Sequence, residues 1–527
     1  MKKKGEINNK KVKAKWGGLP LILVILDGWG ISKPNRGNAV TLAKTPTLNH
    51  LSKNYPFTKL HAHGHYVGLP DSQVGNSEAG HMNIGAGRLV EQDAVKINSA
   101  INDGTFFKNT AFKDAFRAVI KNHSTLHLMG MLSNGSSPHS DICHLIALIQ
   151  MARENKIKDI YLHLFTDGRD SPQHEALRIT EKLKNTVNNC PKIATLMGRF
   201  YAMDRKKAWS RTQAAYDCMT GGIGLKAASA EQAIVESYNR NETDEFIKPY
   251  VIDKRGLIKD NDSVIFFNLR SDRARQLAKA FVQKNFTKRN PGSFVRKKTL
   301  ENLIFVAMTD FGPDLDGILS AFPSSDIDCT LPIVLSDLTQ LYIAESEKFA
   351  HVTYFFNGGY SGMINGEEHF MIPSPNVSSY DRTPGMKSLE LTKKILSDLA
   401  QKRYQLTVLN FAASDMVGHT GNLEAGIKCC EILDGCVKKI TDAYLKKGGT
   451  VLITADHGNI EEMINLKTGE VDTEHSIFAV PFILVNDKLK KHRLKTGGSL
   501  CDIAPTILDI VGKKKPGAMT GKSLLIK

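Results

Sequence analysis

Short apolar runs rich in β-formers recur along the chain, and each ends in a polar or charged cluster. The run 21–26 ends at Asp27, and 125–131 leads to Ser133 and His139. Residues 160–165 end at Asp167-Gly-Arg-Asp170, 193–197 at Gly198-Arg199 and 264–269 at Arg270. Further on, 406–411 leads to Asp415 and 450–453 to Asp456-His457. Such runs read as parallel strands buried on both faces. Stretches with helical spacing, such as 142–154 and 424–446, lie between many of them. Strand and helix in alternation predict an α/β fold. In open α/β sheets ligands gather beyond the carboxyl ends of the strands, which is where these clusters fall.

The clusters are of two chemical kinds. Those toward the ends of the chain hold Asp, His and Ser, whereas those in the middle are rich in Arg. This predicts a metal-binding domain made of 19–92 and 323–527, with an anion-binding domain, 93–322, inserted into it. The junctions fall near 91–96 and 320–326, with Phe322-Pro-Ser-Ser325 as a linker.

A chain of 527 residues is long enough for more than one core. Its formal charge is +16, and the first fifteen residues hold seven lysines against one acid, Glu6. Residues 1–18 read as a disordered basic tail. The remaining positive charge suits an anionic substrate. No zinc-finger spacing, RNP-type motif or basic helix supports a nucleic-acid partner. No apolar run is long enough to span a membrane. The lysines before the run 19–26 resemble a secretion signal, but no small-residue cleavage site follows. The eight cysteines are scattered without a CxxC pair, as in a reduced, cytoplasmic protein.

Two motifs carry metal chemistry. Asp415-Met-Val-Gly-His419 sets a carboxylate and an imidazole four residues apart, and Thr454-Ala-Asp-His-Gly458 sets both ligand types side by side. With Asp27 and His475 they make three Asp and three His. Mixed N/O ligation without thiolate suits two divalent ions, Mn²⁺ first, with Mg²⁺, Co²⁺ or Zn²⁺ possible. Such a pair clamps a transferring phosphoryl group and activates a hydroxyl. Ser77, in Gly75-Asn-Ser-Glu-Ala-Gly-His81, opens a predicted helix. It reads equally as a capping serine or as a nucleophile at a helix N-terminus.

Taken together, Leu26-Asp-Gly-Trp-Gly30, Gly75-Asn-Ser-Glu-Ala-Gly-His81, Thr166-Asp-Gly-Arg-Asp170, Gly198-Arg-Phe-Tyr-Ala-Met-Asp-Arg205, Phe267-Asn-Leu-Arg-Ser-Asp-Arg273, Glu345-Ser-Glu-Lys348, Asp415-Met-Val-Gly-His419 and Thr454-Ala-Asp-His-Gly-Asn459 resemble the cofactor-independent phosphoglycerate mutase family. The resemblance runs from about Leu21 to the C-terminus. It implies an alkaline-phosphatase-like domain with an inserted α/β transferase domain, and an isomerase that moves phosphate between the 3- and 2-positions of glycerate. By motif position it implies one Mn²⁺ on Asp415, His419 and His475, and the other on Asp27, Ser77, Asp456 and His457. It implies substrate contacts from His139, Arg169, Asp170, Arg199, Arg205, Arg270, Arg273 and Lys348. Ser77 would carry the phosphoryl group, Lys348 would stabilise its charge, and Asp170 would act as base. A monomer acting on a small molecule is expected. One departure is plain: in Gly135-Ser-Ser-Pro-His-Ser-Asp-Ile-Cys-His144, Asp141 stands where a His is usual. A phosphatase or phosphopentomutase sharing the metal domain is the nearest rival reading, and a basic nucleic-acid-binding protein the more distant one.

Overall fold

The computed structural model describes residues 18–71, 73–133, 137–312, 314–315, 317–323, 327–360 and 362–526. The predicted basic tail therefore lies outside the described residues, except for Gly18, as do Ser324 and Ser325 of the predicted linker. The described residues form two compact units: one runs up to Gln92 and resumes at Ile327, and the other spans Asp93 to Pro323. Both are α/β, as the alternation of runs predicts.

The first unit is built on an eight-stranded sheet in the order Glu367–Ile372, Gln340–Glu345, Leu406–Phe411, Leu21–Leu26, Thr450–Thr454, Val480–Val485, Phe57–His61, Gly498–Ser499. Its three central strands are buried at every position, so no polar face interrupts them. They are parallel, whereas Val480–Val485 runs antiparallel to both its neighbours. The long helix Leu423–Lys446 turns Cys429, Leu433, Val437 and Ile440 into the same core.

The second unit has its own eight-stranded sheet, in the order Ile318–Phe322, Ile304–Thr309, Ser263–Phe266, Leu126–Leu132, Ile160–Thr166, Lys192–Gly198, Tyr250–Val251, Leu225–Lys226. Alternation along its strands feeds two cores. Leu126, Leu128 and Leu132 enter one cluster, and Met129 and Met131 enter the other. Helices on both faces complete the layers, among them Ile142–Glu154 and Ser271–Val282.

Candidate active site

Strand register brings the acids of the first unit together. Leu26 lies opposite Phe411, and Ile25 opposite Thr454. Three neighbouring strands thus end almost level, and Asp27, Asp415 and Asp456 follow within a few residues of those ends. All three are buried. Helix Ser77–Ala86 supplies the hydroxyl. Its cap is Asn76, whose side chain accepts the Ala79 N–H, so Ser77 is the first helical residue and its hydroxyl is not spent on capping. Ser77 Oγ donates to Asp27 Oδ1 at 3.3 Å and lies 2.9 Å from His457 Nε2. Lys348 Nζ donates to it at 2.7 Å.

The Asp and His side chains fall into two groups, each with its donor atoms within 4.8 Å of one another: Asp415, His419 and His475, and Asp27, Asp456 and His457. Outer bonds orient them. His419 Nδ1 bonds the Thr473 carbonyl at 2.7 Å and His475 Nδ1 the Gly75 carbonyl at 2.8 Å. Both rings are left with Nε2 toward Asp415 Oδ1, at 3.4 and 3.2 Å. Asn410 Nδ2 donates to Asp27 Oδ2 at 2.6 Å, and Asn459 Nδ2 to Asp415 Oδ1 at 2.8 Å.

These residues fit a pair of divalent cations. Three carboxylates are buried around one ammonium, Lys348, which is 2.7 Å from Asp27 Oδ1 and 2.6 Å from Asp415 Oδ2. The site thus carries more negative than positive charge out of water, which calls for cations. His81 Nδ1 lies 2.9 Å from the Ser77 carbonyl and 3.2 Å from the buried Asp456 Oδ2, so one ring nitrogen faces both acceptors. The charge excess acts on the basic groups that face it. Burial opposes the charge of His457, but Asp456, Asp415 and Asp27 outweigh it and hold the imidazole up at about 9. Burial likewise works against the Lys348 ammonium, and Asp27, Asp415 and Asp456 override it.

Of the expected substrate residues, all but Lys348 belong to the second unit. Arg199 is not an open guanidinium. It is buried and bridges Asp167 Oδ1 at 2.5 Å and Asp170 Oδ2 at 2.7 Å. Asp170 also accepts the Ser137 hydroxyl at 2.7 Å and lies 4.0 Å from His139 Nε2. Burial raises the Asp170 carboxyl, but Arg199 and Ser137 prevail and hold it below its usual range. It is therefore ionised at neutral pH. Burial and the charge of Arg199 push His139 down to about 3, so its imidazole is neutral. Arg205 and Arg270 share Asp272, at 2.7 and 3.4 Å. Arg270 precedes helix Ser271–Val282 and Arg273 stands in its first turn. Arg273 is pulled below its usual value by burial and then by Arg199, Arg205 and Arg169, which marks a dense positive cluster. Arg169 lies at its edge, 3.9 Å from Glu245 Oε1. Asp141 caps helix Ile142–Glu154 and accepts from Asn98, whose amide oxygen in turn meets His144 Nε2 at 3.0 Å.

Several contributors escape the motif reading. His81, Asp167 and Asn459 lie inside the quoted motifs, where a neighbouring residue drew the assignment. Ser137 lies in the segment of His139, but its bond to Asp170 is 33 positions away; Asn410 and Glu461 stand outside the motifs, and their bonds to Asp27 and Gly30 cross most of the chain.

Fold and site together describe a metalloenzyme, and residues 19–515 match the family model of the Metalloenzyme superfamily. The chain is 47% identical over 519 residues to "2,3-bisphosphoglycerate-independent phosphoglycerate mutase 1" of Methanosarcina barkeri, covering 96% of this chain and 98% of that one. It is 46% identical to the 2,3-bisphosphoglycerate-independent phosphoglycerate mutase of Clostridioides difficile, covering 96% and 99%. A solved structure of Leishmania mexicana phosphoglycerate mutase at low cobalt concentration superposes with a TM-score of 0.72 at 29% identity, over 96% of this chain and 98% of that one. The chain belongs to the 2,3-bisphosphoglycerate-independent phosphoglycerate mutase family.

Proposed function

We propose that this protein interconverts 3-phosphoglycerate and 2-phosphoglycerate through a phosphoserine at Ser77, without added bisphosphoglycerate. The observation that carries the reading is the place of Ser77 Oγ, in hydrogen-bond reach of Lys348 Nζ at the meeting of two Asp/His groups. Asp415, His419 and His475 would hold one divalent ion, and Asp27, Asp456, His457 and Ser77 the other. Donors limited to Asp, His and a hydroxyl favour Mn²⁺ over thiolate-seeking metals. Bound there, such ions supply Lewis-acid stabilisation of phosphoryl oxygens and lower the pKa of a hydroxyl.

The chain's own residues do the rest. As Ser77 Oγ gives up its proton and bonds to phosphorus, the bond to the C3 oxygen breaks and that oxygen takes up a proton in its place, so the proton count is unchanged. Lys348 meets the negative charge that gathers on the phosphoryl oxygens. His139 and the arginines of the second unit hold the glycerate carboxylate and hydroxyls. The C2 hydroxyl then gives its proton to Asp170 and attacks the phosphoserine; the bond from phosphorus to Ser77 Oγ breaks, and the proton count closes as that oxygen regains a proton and Asp170 loses one. The reverse sequence restores 3-phosphoglycerate. The protein works as a cytoplasmic monomer on this small anion, with no nucleic-acid or membrane partner. Among the described residues no helix is long and apolar enough to cross a membrane.

The test is formation of 2-phosphoglycerate from 3-phosphoglycerate in an enolase-coupled assay free of bisphosphoglycerate. Ser77→Ala and metal chelation should each abolish it. Turnover that survives in Ser77→Ala rules out the phosphoserine route, and inorganic phosphate as the main product marks a phosphatase.

A further inference from the structure

Glu461 has no part in the chemistry described above, yet it touches three ligand-bearing segments at once. Its Oε2 accepts the Gly30 N–H at 2.9 Å, in the turn that begins at Asp27. The same oxygen accepts the Asn459 N–H at 2.9 Å, two residues past His457. Its Oε1 accepts the hydroxyl of Ser476, the neighbour of His475. The carboxylate is fully buried, and burial without partners is costly for such a group; here three donors meet it.

The surrounding backbone is shaped to let the carboxylate in. A Cβ at Gly30 would overlap both Glu461 oxygens, and one at Gly458 would overlap Oε1 and the Ser476 hydroxyl. These loops reach the carboxylate only because both positions are glycine. The Gly458 and Ser476 backbones also pair directly, through the Ser476 N–H to the Gly458 carbonyl at 2.9 Å. The segment holding His475 is thereby pinned to the segment holding Asp456 and His457.

We propose that Glu461 is a positioning residue that fastens the turns carrying Asp27, Asp456–His457 and His475, so that the two ion sites assemble as one unit. This inference rests on the metal-dependent reading of the site. Asp27 and His457 belong to one ligand group and His475 to the other. One carboxylate therefore couples groups that share no ligand residue. Asn459 is different, since its amide donates to Asp415 and so serves one group alone.

The experiment is calorimetric titration of Mn²⁺ into metal-stripped full-length protein, for wild type, Glu461→Ala, Glu461→Gln and Ser476→Ala, with the melting temperature of each stripped protein recorded alongside. In Glu461→Ala both ions should bind about tenfold to hundredfold more weakly. Ser476→Ala should show a smaller loss at both sites. Glu461→Gln should recover part of the affinity, because its amide oxygen still accepts the two backbone N–H groups. Excess Mn²⁺ should restore mutase turnover in the variants. Lower melting temperatures with unchanged Mn²⁺ affinity overturn the proposal, and so does weakening of one ion alone. If Glu461→Ala fails to fold, Ser476→Ala decides by the same criteria. A wild-type protein that binds fewer than two ions, or that binds them without mutase turnover, sinks the functional reading, and that result is read from the wild type before any variant.

Discussion

Lys348 Nζ and Ser77 Oγ are 2.7 Å apart, although 271 positions separate them in the chain. The same ammonium bridges Asp27 and Asp415, so in the metal-free protein it is the counter-charge for two buried carboxylates. Removing one partner of a buried ion pair costs roughly 3–5 kcal/mol, because the other charge is left stranded. Lys348→Met should therefore destabilise the metal-stripped protein by a few kcal/mol. Added divalent metal should restore most of that loss, since the carboxylates regain cations. Turnover should stay low even when the protein is loaded, by about a hundredfold or more, because the donor to the transferring group is gone. Melting curves with and without chelator, beside kcat, test both halves. A stripped variant as stable as stripped wild type contradicts the bridging role.

A second buried polar chain crosses the core of the other unit. His127 Nε2 meets Asp262 Oδ2 at 3.1 Å, His127 Nδ1 meets His163 Nε2 at 3.0 Å, and His163 Nδ1 meets Thr195 Oγ1 at 2.9 Å. One assignment satisfies every link: both rings neutral and protonated at Nε2, with the Thr195 hydroxyl donating to His163. Burial lowers both imidazoles, His163 furthest and with a further push from His127. For a histidine whose folded pKa lies below its unfolded value, the stabilisation is complete above the unfolded pKa of 6.5. It drains away as the pH falls below that value. The second unit should thus lose stability in mild acid, with up to about 1.4 kcal/mol per pH unit from each ring. His163→Gln should lower stability at pH 7.5 and flatten the acid slope by about one proton. Urea unfolding between pH 5 and 7.5 measures both, and an unchanged slope in the variant refutes the account.

Much of the fold was readable because its central strands are buried at every position and mostly apolar. The runs at 21–26 and 406–411 match the strands Leu21–Leu26 and Leu406–Phe411, and the stretch 142–154 matches Ile142–Glu154. The run at 264–269 overshoots: the strand is Ser263–Phe266, and Asn268 beyond it accepts the Met131 N–H instead of extending the ladder. Two-residue strands such as Leu225–Lys226 are too short to show a period. In the site, residue types with ligand chemistry stood out, but the shell that orients them did not. Asn410 and Glu461 look like any polar residue until the register of distant strands brings Asp27 and Gly30 to them. Local sequence left the role of Ser77 undecided, and Asn76, as the true cap, settles which residue spends its side chain on the helix end.

The arginines divide by burial, and their variants should divide likewise. Arg199 is 2% exposed and binds two carboxylates, whereas the Arg205 side chain is half exposed and shares one. Arg199→Met strands Asp167 and Asp170, so it should cost a few kcal/mol of stability. Arg205→Met should cost less than about 1 kcal/mol, as exposed pairs do. If Arg205 binds the anionic substrate, its loss should instead lower kcat/KM by about tenfold to a hundredfold, mostly through KM, matching a charged hydrogen bond of about 1.5–3 kcal/mol. Melting curves and steady-state kinetics on the two variants separate these effects. An Arg205→Met enzyme with wild-type KM removes that residue from the substrate set.

Glu345 gives the opposite pH dependence in the first unit. It ends strand Gln340–Glu345, is buried, and accepts the Lys387 N–H at 3.0 Å. Burial pushes its carboxyl from 4.5 up to about 7, against the smaller pull of the Lys387 N–H and ammonium. The folded state therefore holds this proton more tightly than the unfolded chain does. Its contribution to stability is full below 4.5 and is lost as the pH rises through about 7. The whole loss is up to about 3 kcal/mol, because each tenfold difference in proton affinity between the two states is worth about 1.4 kcal/mol. Glu345→Gln keeps the acceptor for Lys387 and has nothing to ionise. Relative to wild type it should gain stability steadily from pH 5 to pH 8 and level off above that. Urea midpoints for both proteins across this range, taken with metal present, give the difference directly. A constant difference means that Glu345 is ionised throughout and that its burial is offset by partners stronger than Lys387.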